Sequence, residues 1–110
     1  MRFFGLKSCD TCRKALAALK AKGITPEVVD VRADGLSVDD ITAIVQAFGD
    51  QAINRASTTW RNLPEEARAM DNAALLAAHP TLMKRPVIAS DDHGWTIGWK
   101  PDVQAKHLGS

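Results

Sequence analysis

Long apolar runs are missing from this chain: nowhere do about 18 apolar residues follow one another, and residues 1–8 lack the apolar core of a signal peptide. Neither membrane spanning nor secretion has support, and the expected location is the cytoplasm. Charge imbalance is missing too. Fourteen Lys and Arg against thirteen Asp and Glu leave a formal net charge of +1, which excludes a broad nucleic-acid-binding face while leaving room for a small basic pocket. A Gly-rich phosphate loop, a Ser-His-Asp set and a carboxylate pair are all absent at motif strength. Repeats, linkers and low-complexity stretches are absent as well. At 110 residues, 45% hydrophobic and 25% charged, the chain suits one domain spanning residues 1–110 with one core, and no second domain fits.

Cysteine is scarce, and what there is stands together. The two cysteines form the run Cys9-Asp10-Thr11-Cys12, after a short apolar run at Phe3 and Phe4 and before a helical pattern from Arg13 to Lys22. A Cys at a helix start meets unpaired N–H groups and the positive end of the macrodipole, and both favour thiolate over thiol. In a reducing compartment a lone pair of this kind is catalytic or metal-binding more often than a structural staple. Zinc is one rival reading, weakened because four ligands are usual and only His79, His93 and His107 remain to join the pair without finger-like spacing. The other rival is a pair of inert core residues.

Arg2 to Gly5 reads as a strand, Arg13 to Lys22 as a helix rich in Ala, Leu and Lys that stops at Gly23, and Glu27 to Val31 as a second strand. This is a βαβ unit, with parallel strands and a right-handed crossover, and it places the Cys pair at the carboxyl end of the first strand. Ser37 and Asp40 form a capping pair for a helix whose Ile41, Ile44, Val45 and Phe48 recur at helical spacing before Gly49. Residues 51–71 read as irregular or short helical pieces, and Asn72 to His79 as a helix closed by Pro80. Val87 to Ala89, a turn at Asp91 to Gly94, and Trp95 to Ile97 predict an antiparallel hairpin, followed by a last helix from about Asp102. The expected fold class is α/β, with flanking helices on a four-stranded mixed sheet and a helical insertion over about residues 37–80, between the βαβ and ββα halves.

That element order, with a Cys pair opening the first helix, is the order of a thioredoxin-like fold. The segments Gly5-Leu6-Lys7-Ser8-Cys9-Asp10-Thr11-Cys12-Arg13-Lys14-Ala15, Arg55 with Thr58-Thr59-Trp60-Arg61, Lys84-Arg85-Pro86-Val87 and Gly98-Trp99-Lys100 resemble, in this order, the ArsC/Spx/YffB superfamily. The Thr-Thr-Trp-Arg and Gly-Trp-Lys-Pro strings look most like the YffB branch. The resemblance implies a thiol-dependent reductase in which Cys9 is the nucleophile and Cys12 the resolving thiol. The substrate it implies is a small oxidised species, an arsenate-like oxyanion or a glutathione mixed disulfide. No bound cofactor is implied; glutathione would serve as co-substrate, and glutathione, glutaredoxin or thioredoxin would recycle the enzyme.

Arg13, beside the thiols in sequence, and Arg55 and Arg85, at positions similar to active-site arginines of the family, are candidate oxyanion-binding residues, because a guanidinium offers a planar fork of donors and lowers a nearby thiol's pKa. The alternative for each is a solvated surface charge. Pro86 resembles the cis-proline that faces the Cys motif, while Thr59 and Trp60 belong to a family signature and either help hold glutathione or pack locally. One departure concerns arsenate: the reductases of this class carry a third arginine after the final strand, and here no arginine follows Arg85. The second reading is a Spx-like regulator that binds RNA polymerase and uses the pair as a redox switch, since Cys-x-x-Cys-Arg-Lys is shared with that branch.

Overall fold

The computed structural model describes residues 1–109. The chain divides into two compact units, one built from residues 1–30 with the segment from Arg85 onward, the other from Val31–Lys84.

The first unit carries the sheet. Strands β1 (Arg2–Gly5), β2 (Glu27–Asp30), β3 (Val87–Ser90) and β4 (Gly94–Ile97) lie in the order β2-β1-β3-β4. β1 runs parallel to β2 and antiparallel to β3, and β3 and β4 form the antiparallel hairpin. Pleating sends neighbours Phe3 and Phe4 to opposite faces. Phe3 joins Cys12, Ala15, Leu19 and Ile88 in a fully enclosed cluster, with Leu16, Trp99 and Leu108 packed against it. Phe4 stacks on Trp95 at 5.9 Å, and the Arg2 guanidinium lies 4.8 Å from its ring centre. This is a mixed four-stranded sheet of thioredoxin-like type.

Helix α1 (Asp10–Ala21) starts three residues before the apolar pattern does. Asp10 and Thr11 carry no core signal, yet a carboxylate in the first turn suits the unpaired N–H groups and the macrodipole there. Cys9 therefore becomes the residue that caps the helix, and Cys12 enters its first turn. The helix ends as expected at Gly23, whose φ of 77° is open to glycine.

Between the units' sequence boundaries at Val31 and Lys84, α2 (Val38–Phe48) is capped by the Ser37 side chain, which accepts from the Asp40 N–H at 3.1 Å. Residues 51–71 resolve into the end of a 3-10 turn over Gly49–Ala52 and two one-turn helices, α3 (Thr58–Arg61) and α4 (Glu65–Arg68). α5 (Asn72–Ala78) packs against α2, burying Ile41, Ile44, Leu75 and Leu76. An isolated antiparallel bridge joins Ile53 to Met83, next to the end of this segment.

The last helix, α6 (Pro101–Leu108), opens on Pro101, whose fixed φ suits a first helical position. His107, one of the three histidines weighed above for zinc, is 6% exposed. Its Nε2 meets the buried Thr96 hydroxyl at 2.7 Å, its ring stacks on Trp99 and meets His93 edge-on, and Nδ1 has no partner among the described residues. Burial, then the neighbouring His93 and Lys106, hold its pKa below the usual histidine value. A base with a depressed folded pKa stabilises the fold fully above its unfolded value, about 6.5, and loses that contribution as pH falls toward the folded value. Urea unfolding at pH 7.5 and 5.5 is expected to show a stability loss on acidification that the His107→Gln variant reduces. An equal loss in both proteins would count against a neutral buried ring.

Candidate active site

The site grows from the loop between β1 and α1. The Lys7 N–H donates to Asp30 Oδ2 at 3.2 Å, the Cys9 N–H donates to the Leu6 carbonyl at 3.1 Å, and the Cys9 carbonyl accepts from the Arg13 N–H at 3.0 Å. The first bond fixes the loop to the end of β2, the second closes the turn, and the third carries it into the helix. Asp30 is buried and positions the loop; nothing in its sequence context beyond a place at a strand end pointed to that role. Three residues apart at a helix start, the two cysteines fall on one side of the helix, and both thiols are free.

Their environments differ sharply. Cys9 is half-buried, while Cys12 is 1% exposed. At Cys9, burial disfavours the thiolate. It is outweighed by the Cys12 amide and thiol and by Arg85, which donates a hydrogen bond and adds its positive charge, so the Cys9 pKa lies below its ordinary value. The Sγ closes no full cap hydrogen bond; the attraction of the amide is chiefly electrostatic. At Cys12, burial dominates over the opposing Leu6 backbone, and with the nearby Cys9 sulfur adding to the rise the thiol is pushed up to about 11. One sulfur is biased toward the thiolate and the other toward the protonated thiol.

Among the residues singled out from sequence, the structure brings Cys9, Cys12 and Arg85 together, with the Arg85-Pro86 peptide bond cis. Arg13 instead lies exposed in an ion pair with Asp10 on its own helix. In the second unit, Arg55 is held locally. Its guanidinium donates to the Asp50 carbonyl at 3.1 Å, lies 3.7 Å from the Asp50 carboxylate, reaches the Asn72 amide oxygen at 3.5 Å, and sits 5.2 Å from the Trp60 ring centre. Trp60 and Thr59 are half-buried on α3, whose Ser57 cap accepts from the Trp60 N–H. Among the described residues no three His, Cys, Asp or Glu side chains converge to hold a metal, and no helix is long and apolar enough to cross a membrane. A small, partly open pocket of about 30 Å³ beside the loop is walled by Leu6, Arg13, Leu16 and Val28 among others.

Compared with known proteins, residues 4–106 match the ArsC family. The chain belongs to the ArsC family. An uncharacterized protein of Haemophilus influenzae is 42% identical over 93 residues, covering 80% of this chain and 82% of its own. The global transcriptional regulator Spx of Bacillus subtilis is 30% identical over 107 residues, covering 92% of this ArsC-family chain and 81% of its own. Among solved structures, the YFFB protein superposes with a TM-score of 0.86 at 31% identity and 97% coverage of both chains. An arsenate reductase related protein from Brucella melitensis does so with a TM-score of 0.73 at 32% identity, over 99% of this chain and 94% of that one.

Proposed function

We propose that this chain is a cytoplasmic thiol reductase in which the Cys9 thiolate attacks a small oxidised substrate and Cys12 resolves the product. The observation that carries the reading is the contrast between the two sulfurs: a reachable one with its pKa held down beside Arg85, and an enclosed one with its pKa held up. A nucleophile needs the first environment, and a thiol that must not compete for substrate needs the second.

The substrate we favour is a glutathione mixed disulfide, with an arsenate-like oxyanion second. Arg85 bears on Cys9, whereas Arg13 is turned to Asp10, and no arginine follows Arg85 in the chain. One guanidinium matches one glutathione carboxylate better than it matches the spread charge of a free arsenate. Recycling by glutathione, glutaredoxin or thioredoxin completes the cycle, with glutathione as a co-substrate and no bound cofactor required. Incubation with oxidised glutathione is expected to add one glutathionyl group, on Cys9, that is then lost as a Cys9–Cys12 disulfide forms; mass spectrometry of the quenched protein follows both. An adduct on Cys12 first, or no adduct at all, would remove the basis of the scheme.

A second reading is favoured by the Spx relatives, which span most of this chain: a redox-switched regulator binding RNA polymerase. It predicts the same disulfide with no turnover. Retention of the polymerase α subunit by the immobilised protein, combined with no reductase activity, would establish it in place of catalysis.

A further inference from the structure

Gly5 closes β1, and its φ is not positive, so the backbone there does not call for glycine. Space does. A Cβ at this position would lie 2.7 Å from Cys12 Sγ, 3.3 Å from Cys12 Cβ and 3.0 Å from the Phe3 ring, where ordinary contact begins at about 3.5 Å. Neither neighbour can yield toward solvent, since Phe3 is 0% and Cys12 1% exposed. The other glycines of the described residues have no atom within 4 Å of an added Cβ. Gly5 alone among them stands where a side chain and a thiol would claim the same volume.

We infer that Gly5 is a positioning residue for the resolving step: by having no side chain it opens the space in which the Cys12 sulfur is held against Cys9. The inference rests on the reading under Proposed function. In that step Cys12 loses its proton, its sulfur attacks Cys9 Sγ in the Cys9–glutathione mixed disulfide, and the new Cys9–Cys12 bond forms as the bond to glutathione breaks. The bonding pair leaves on the glutathione sulfur, which takes up a proton; the protein pair is oxidised and the glutathionyl sulfur reduced. Displacement in line with the breaking S–S bond demands a fixed approach of Cys12. A methyl group on residue 5 forces that sulfur to another rotamer and also withdraws the Cys12 contact that helps ionise Cys9.

The test uses Gly5→Ala, Cys12→Ala and the double variant. After loading with oxidised glutathione, Gly5→Ala is expected to convert its Cys9 adduct to the internal disulfide at least about tenfold more slowly than wild type, and its Cys9 alkylation midpoint moves to higher pH. Wild-type values for both would overturn the inference. Thermal melting provides the second arm. If the clash is with sulfur, Gly5→Ala lowers Tm markedly in the native background and much less in the Cys12→Ala background. Folding of the double variant where Gly5→Ala alone fails to fold supports the inference, and equal losses in both backgrounds overturn it, because Phe3 would then set the need for glycine. Should wild type form no Cys9–Cys12 disulfide, the proposed function fails, and the melting comparison still decides whether Gly5 makes room for the thiol.

Discussion

Serine at position 9 is expected to lower turnover on order of a thousandfold or more, because the attacking atom itself is gone and no other thiol is accessible to replace it. A serine hydroxyl stays protonated at neutral pH, and the Cys12 amide and Arg85 that depress the Cys9 pKa cannot bring an alcohol into range. Cys12, buried and with its proton held to about pH 11, makes a poor substitute. Serine at position 12 should behave differently. The first attack proceeds, the mixed disulfide accumulates, and turnover then requires external glutathione to release Cys9. Glutathione release from a glutathionylated peptide, measured with and without added glutathione, separates the two variants. Wild-type rates in both would refute the assigned roles.

The second large effect is expected at Arg85. Arg85→Ala removes both a hydrogen bond and a positive charge from Cys9, and the loss of a close opposite charge moves the thiol pKa upward. The thiolate population falls, but the more basic thiolate is intrinsically the better nucleophile, so the two effects partly offset one another in the attack itself. Loss of a charged hydrogen bond to a substrate carboxylate adds about tenfold or more. The fall in kcat/KM is thus about tenfold or more, most of it in substrate recognition. Arg85→Lys restores much of the alkylation midpoint through its charge, yet leaves KM raised because a point charge does not reproduce the fork. If Arg85→Ala leaves the midpoint in place, the guanidinium does not bear on the thiolate.

The alternation and spacing of apolar residues carried the sheet-bearing unit a long way. Phe3 and Phe4, the Ala-Leu-Lys helix with its Gly23 stop, and the Val87 to Ile97 hairpin are local signals, and local signals survive folding. The helix start was less legible. Asp10 and Thr11 read as loop residues, and only end-of-helix electrostatics draws them into the first turn. Arg85 meets Cys9 from the bend just before β3, more than seventy positions away, a pairing that no periodicity encodes; family motifs suggested it. Arg55 gave no hint of its own clamp, because Asp50 and Asn72 flank it at spacings set by the tertiary path rather than by a helix. His107 looked like an ordinary residue of a terminal helix, and its burial follows from Trp99 and Thr96 covering it. The conflict between a side chain at Gly5 and the thiol of Cys12 was invisible for a related reason: a strand end and a helix start approach within contact only after the chain has turned.

The unequal exposure of the two sulfurs also bears on oxidative damage. An oxidant arriving from water encounters Cys9 alone, and a sulfenic acid formed there has a protonated thiol adjoining it, ready to condense with loss of water. Such condensation competes with further oxygen addition toward the irreversible sulfinic and sulfonic acids. On the proposed reading the enclosed cysteine would serve as a safety stop, keeping the exposed one on the part of the oxidation ladder from which ordinary cellular thiols can return it.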